Sequence, residues 1–167
     1  PPSLFYRDLL PAALQERAHE LHAQTTRNEL AALADGSGGL FDGTLDVLDT
    51  LKQRGLRLML VSNCSQAYLD GVVATFQLTR WLDYAQCVGD HPEAGRNKVS
   101  LVGAGLRLLN VRQGVMVGDR IHDGEAALAN GLSFIGCTYG YGKSDEFKDA
   151  AALIDDIRQL PGLLFSA

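Results

Sequence analysis

From Leu40 onward, short apolar runs of strand length alternate with amphipathic stretches of helix length, and this alternation limits the fold more than any other feature of the chain. Strands separated by helices do not pair as hairpins; they lie parallel and are joined by right-handed crossovers. The pattern predicts helices over 45–54, 66–76, 97–109, 122–130 and 146–158, and strands over 56–61, 85–88, 115–117 and 133–137. Gly55 and Gly131 fall just past two of those helices, where a left-handed residue closes the last turn. The expected architecture is α/β, a Rossmann-like parallel sheet sandwiched by helices.

The upstream residues follow a different pattern. Leu10, Leu14, Ala18 and Leu21 recur at helical spacing within a helix expected over 3–34, with Glu16, Arg17, Glu20, Gln24 and Arg27 on the other face. Asp35-Gly36-Ser37-Gly38-Gly39 breaks that pattern. The expected organisation is therefore a helical segment, 1–36, followed by an α/β core, 37–167.

Composition narrows the function classes. A chain of 167 residues with 46% hydrophobic and 21% charged residues suits one globular domain with a real core. Its net charge of −5 provides no basic footprint for nucleic acid or an anionic membrane, and no apolar run reaches spanning length. The expectation is a cytoplasmic protein with a small-molecule partner, no nucleic acid and no membrane. Cys64, Cys87 and Cys137 are widely spaced and form no Cys-x-x-Cys pair, and the four histidines show no ligand spacing with them. Neither a disulfide framework nor a zinc site is indicated.

Chemistry-bearing residues cluster at the ends of the expected strands. Val115-Met116-Val117-Gly118-Asp119-Arg120-Ile121-His122-Asp123 is an apolar run that ends in a carboxylate, with a second carboxylate one helical turn later. Open α/β sheets bind ligands at that C-terminal edge. Two carboxylates converging on one loop repel unless a cation sits between them, and oxygen-only ligation favours Mg²⁺; simple capping of the next helix is the alternative. Ser62 and Asn63 end the strand 56–61 at the same edge, where a hydroxyl and backbone N–H groups suit phosphoryl oxygens. An ordinary turn or N-cap would use the same residue types. Lys98 opens a helix, a position unfavourable to a cation against the helix dipole, so it asks for a nearby anion unless it is a solvated surface lysine. A hydroxyl, a cation and a metal site are much of what phosphoryl transfer requires.

On these residues the chain resembles the haloacid dehalogenase-like hydrolases, in their phosphatase branch. Ser62-Asn63-Cys64 is similar to the family's second motif, Lys98 to its third, and Gly118-Asp119-Arg120-Ile121-His122-Asp123 to its fourth, Gly-Asp-x-x-x-Asp. Tyr139-Gly140-Tyr141-Gly142 resembles the loop many members carry after the next strand. Arg120 stands where many relatives have a small hydroxyl residue. The resemblance implies a Mg²⁺-dependent phosphomonoester hydrolase, similar to phosphoglycolate phosphatases, acting on a small phosphorylated metabolite. By it, Ser62 and Asn63 would hold phosphoryl oxygens, Lys98 would steady the charge of nucleophile and substrate, Asp119 would ligate Mg²⁺, and Asp123 would ligate or orient the metal site from beside it.

One departure bears on catalysis. The family's first motif, Asp-x-Asp-Gly-Thr, carries the aspartate that becomes phosphorylated, and no Asp-x-Asp occurs in this chain. In Leu40-Phe41-Asp42-Gly43-Thr44 the nucleophile's place is held by a leucine, and the segment reads as the turn before the helix 45–54. The resemblance also implies that the first strand lies mid-sheet, so that its loss leaves two inner edges unpaired. The expectation is that 1–36 is the remnant of a helical cap, that the first strand lay upstream, and that this chain is an inactive fragment of a phosphatase that works through an aspartyl phosphate when intact. The alternative is a non-catalytic binding or assembly domain derived from the same fold.

Overall fold

The protein is described from a computed structural model, which covers Arg7 and residues 10–89 and 95–165. The parallel strands β1 (Met59–Ser62) and β2 (Tyr84–Cys87) pair with Met59 opposite Tyr84 and Ser62 opposite Cys87. A second parallel sheet joins β3 (Val115–Gly118), β4 (Ser133–Cys137) and β5 (Ala152–Ile154), with Val115 opposite Ser133 and Ile135 opposite Ala152. Helices α1 (Ala18–Asp35), α2 (Thr44–Gln53), α3 (Gln66–Thr75), α4 (Lys98–Leu108), α5 (Ile121–Ala129) and α6 (Leu160–Phe165) flank them. The architecture is α/β, with parallel sheets covered by helices, as the alternation requires.

The strands form two sheets, in line with the two unpaired inner edges expected of a chain without the family's first strand. A shared helical layer holds them side by side. Helix α4 lies on β1 and β2 so closely that a Cβ on Gly105 would stand 2.8 Å from Met59 Cε and 2.9 Å from the Tyr84 ring. Helix α5 lies on β3 and β4, and the two helices are joined where Asn130 Nδ2 donates to Val99 O (3.1 Å) and Ala126 O (2.8 Å). Among the described residues no strand lies between β1 and β3, and burial records the consequence. Strand β4, paired on both edges, is buried from Phe134 to Cys137, whereas β1 is only half-buried along its length and Val115 of β3 is exposed. On the face opposite α4 and α5, Val47 and Leu51 of α2 pack with Ile135, Cys137, Ile154 and Leu160, and half-buried Leu58 and Val117 join the same cluster.

The expected helix over 146–158 is corrected. Two 3-10 turns, Ser144–Phe147 and Ile157–Gln159, flank β5 instead. The far edge of β4 needs backbone partners, and Ala152–Ile154 supply them; the Thr138 N–H donates to Ile154 O at 2.9 Å and the Ala151 N–H to Phe134 O at 2.8 Å. Edge pairing and the burial of Ile154 outweigh the helical leaning of the alanine run.

Upstream, the long helix expected over 3–34 is a 3-10 turn, Ala12–Arg17, followed by α1; residues 1–6 and 8–9 of that expectation lie outside the described residues. Helix α1 ends at Gly36 in the left-handed conformation (φ 78°) and docks on α3, where a Cβ on Gly71 would come within 2.8 Å of Leu30 Cδ2. Phe41–Thr44 forms the turn that opens α2. Gly43 is left-handed there and packs so tightly on Arg158 that a Cβ would lie 2.7 Å from its Cγ.

Two substitutions check β5. Ile154→Ala, at 1% exposure, is expected to cost about 2–5 kcal/mol, and Leu153→Ala, exposed on the other face, under about 1 kcal/mol, both read from urea unfolding. Equal costs would contradict the strand's alternation.

Candidate active site

Ser62 and Gly118 end β1 and β3 at the same C-terminal edge, and a cleft of about 640 Å³ opens there. All five residues singled out in the sequence line it: Ser62, Asn63, Lys98, Asp119 and Asp123. Local hydrogen bonds bear on the alternative readings of Ser62 and Lys98. The cap of α3 is Ser65, whose Oγ accepts the Tyr68 N–H at 3.2 Å, so Ser62 is not needed for that purpose; its Oγ accepts the Cys64 N–H at 3.2 Å. Asn97 and Ser100 cap α4 reciprocally, leaving Lys98 to reach across to α5.

There Lys98 Nζ donates to Asp123 Oδ1 at 2.6 Å, with both side chains nearly buried. The other oxygen, Asp123 Oδ2, accepts the Arg120 N–H at 2.9 Å, so Asp123 also helps to cap α5. Its placement explains the glycine before the motif's first aspartate: a Cβ on Gly118 would stand 2.2 Å from Asp123 Cγ. Asp119 is held differently. Its Oδ2 accepts the Tyr141 N–H at 2.6 Å, and the loop 139–142 wraps it so closely that a Cβ on Gly140 would lie 2.3 Å from Asp119 Cβ. A Cβ on Gly142 would meet Asp119 O at 1.7 Å.

The cleft wall also includes Arg96, His122 and Glu125, which sequence reasoning did not assign to it. Arg96 is structural: its guanidinium donates to Cys87 O (2.7 Å), Val88 O (3.2 Å) and Gln86 Oε1 (3.0 Å) and ties off the end of β2. His122 Nδ1 lies 3.0 Å from Glu125 Oε2 on the exposed rim, one helical turn away. Burial raises the thiol of Cys64 and pushes that of Cys87 up to about 11, so both stay protonated at neutral pH and neither is a ready nucleophile.

Glu146, just beyond the loop, accepts the Ile121 N–H at 2.8 Å and the Lys143 N–H at 3.1 Å and pairs with Arg120 Nε at 3.0 Å. Those bonds, the amides first, hold its carboxyl down to about 2. No signal within a few residues of Glu146 could have revealed this, because its partners at the start of α5 lie 25 and 26 positions away.

Asp123 has both oxygens engaged, and Asp119 retains one oxygen with no hydrogen bond among the described residues. No group of three histidine, cysteine, aspartate or glutamate side chains converges among the described residues; Mg²⁺ is commonly held by one or two carboxylates, with waters and phosphate oxygens completing its shell.

A sequence model of haloacid dehalogenase-like hydrolases matches residues 5–131. The chain belongs to the haloacid dehalogenase-like hydrolase family. Its homologues set it in the phosphatase branch. It is 31% identical to the plasmid phosphoglycolate phosphatase of Cupriavidus necator, covering 99% of this chain and 74% of that protein. It is 28% identical to the tyrosine-protein kinase PtkA of Mycobacterium tuberculosis over 82% of this chain and 50% of that relative, so the chain spans about half the length of some of the curated relatives it matches. A haloacid dehalogenase-like hydrolase from Streptococcus pneumoniae superposes with a TM-score of 0.76 at 12% identity, covering 98% of this chain and 76% of that one, which is a likeness of fold.

Two outcomes are expected of this haloacid dehalogenase-like site. Lys98→Met strands the buried Asp123 carboxylate and is expected to destabilise the fold by about 3–5 kcal/mol in urea unfolding. Glu146, with its carboxyl lowered from an ordinary 4.5 to about 2, contributes stability that is fully present above 4.5 and lost as pH falls through about 2. The stability gap between the wild type and Glu146→Gln should therefore be widest near neutrality and close as pH approaches 2, in unfolding measured across that range.

Proposed function

We propose that the chain carries the phosphoryl-binding part of a Mg²⁺-dependent phosphomonoester hydrolase that acts on a small phosphorylated metabolite in the cytoplasm. The observation that supports this best is the gathering of Ser62, Asn63, Lys98, Asp119 and Asp123, from three successive α/β units, around one cleft at the C-terminal edge of parallel strands. In this reading the Ser62 hydroxyl and Asn63 hold phosphoryl oxygens. Lys98, steadied by Asp123, offsets their charge, and Asp119 faces the reacting group.

The intact enzyme works through an aspartyl phosphate, and this chain lacks that aspartate and is inactive alone. The place for such a residue is the gap between β1 and β3, which is open among the described residues. A carboxylate delivered there would stand beside Asp119 and add the oxygen donor that the Mg²⁺ site needs. Residues 1–36 then belong to a helical cap and 37–167 to the hydrolase core.

The second reading, a non-catalytic binding or assembly domain, is supported by the lack of an Asp-x-Asp in this chain. Inorganic phosphate separates the two. Titrated into the labelled chain, it is expected to shift the Ser62 and Asn63 amide resonances, with affinity about three- to tenfold weaker in Ser62→Ala. With Mg²⁺ and an aryl phosphate the same chain is expected to give no turnover. Unmoved Ser62 and Asn63 amides would leave the assembly reading, and turnover abolished by Asp119→Asn would show that the described residues are catalytically sufficient.

A further inference from the structure

Among the described residues, Glu146 is the carboxylate beside the cleft that touches both segments bordering Asp119. Its Oε2 accepts the Ile121 N–H at 2.8 Å and lies 3.0 Å from Arg120 Nε, at the start of α5 and directly after Asp119. Its Oε1 accepts the Lys143 N–H at 3.1 Å, at the end of the loop whose Tyr141 N–H donates to Asp119 Oδ2. One carboxylate therefore fastens the loop to the helix that follows Asp119, with three donors on its two oxygens. Gly140 and Gly142 pass so near Asp119 that neither position has room for a side chain, so the loop packs directly on it.

Glu146 is itself well anchored. The next residue, Phe147, is buried with Phe134 and Ala127, and a Cβ on Gly136 would stand 2.7 Å from its ring. The Arg120 side chain is more exposed than Glu146, so the ion pair by itself is a weak fastening. The two amide bonds to a charged acceptor are the strong ones.

We propose that Glu146 is a positioning residue for Asp119: its carboxylate locks the loop 139–143 onto the start of α5 and thereby fixes the oxygen that Asp119 presents to the cleft. The assignment of a purpose to that oxygen rests on the phosphoryl-site reading given above; the lock itself does not.

The test uses the full chain as wild type, Glu146→Ala and Glu146→Gln, with amide hydrogen exchange followed residue by residue. The Tyr141 amide reports the bond to Asp119, and the Ile135 amide in β4 reports general stability. Exchange at Tyr141 is expected to speed up on the order of tenfold in Glu146→Ala and about threefold in Glu146→Gln, which keeps an acceptor but loses the charge, beyond any change at Ile135. A purely structural role would raise both amides together, and that result overturns the proposal, as does an unchanged Tyr141. Should Glu146→Ala fail to fold, Glu146→Gln decides by the same criterion. Phosphate affinity is expected to fall about two- to fivefold in the folded variants. Wild-type chain that ignores phosphate would defeat the phosphoryl-site reading while the Tyr141 amide still judged the lock.

Discussion

The Lys98–Asp123 pair ties together parts of the molecule that share no strand. Lys98 begins the helix lying on β1 and β2; Asp123 sits in the first turn of the helix lying on β3 and β4. Two charges so far out of water gain little net stability from each other, because desolvation offsets most of their attraction. Neither tolerates the loss of its partner, however, and that intolerance fixes how α4 sits against α5. Asp123 then passes the constraint on: its second oxygen takes the Arg120 N–H, and its bulk excludes any side chain from position 118. The cleft is shaped from this one contact outward.

The helical layer matters more here because the strands do not form a continuous sheet. In an unbroken parallel sheet the ladder itself would set the distance between Ser62 and Asp119. In the described residues that distance depends on α4 and α5, joined by the ion pair and by Asn130 reaching Val99 O. Among the described residues the inner edges of β1 and β3 have no strand partner, an arrangement that natural sheets usually cover. The cleft lies at the tips of those same two strands.

Asp119 and Asp123 show how little residue type and spacing say about role. They stand four residues apart in one motif and line one cleft, yet Asp123 is buried with both oxygens bonded, while Asp119 keeps one oxygen with no hydrogen bond among the described residues. The capping reading and the site reading of this motif turn out to be compatible. Asp123 caps α5 and steadies Lys98 at once, whereas Asp119 is bound by a loop from beyond β4 and takes no part in the cap.

The alternation of strands and helices, the glycine stops and the convergence of Ser62, Asn63, Lys98, Asp119 and Asp123 were all readable from the chain, because each depends on periodicity or on turn chemistry within a few residues. Strand β4 was placed over its observed span for that reason. The segment 146–158 was not, since its local leaning is helical and only the unfilled edge of β4 makes Ala152–Ile154 a strand. The same holds for the burial of Lys98 against Asp123 and the reach of Glu146 to Ile121. Sequence by itself determined most of the strands and helices and which polar groups stand at their ends; tertiary structure decided the strand at 152–154 and who bonds to whom, because a backbone edge or a buried charge takes its partner from whatever packing brings near, here from 25 residues away in both ion-pair and amide contacts.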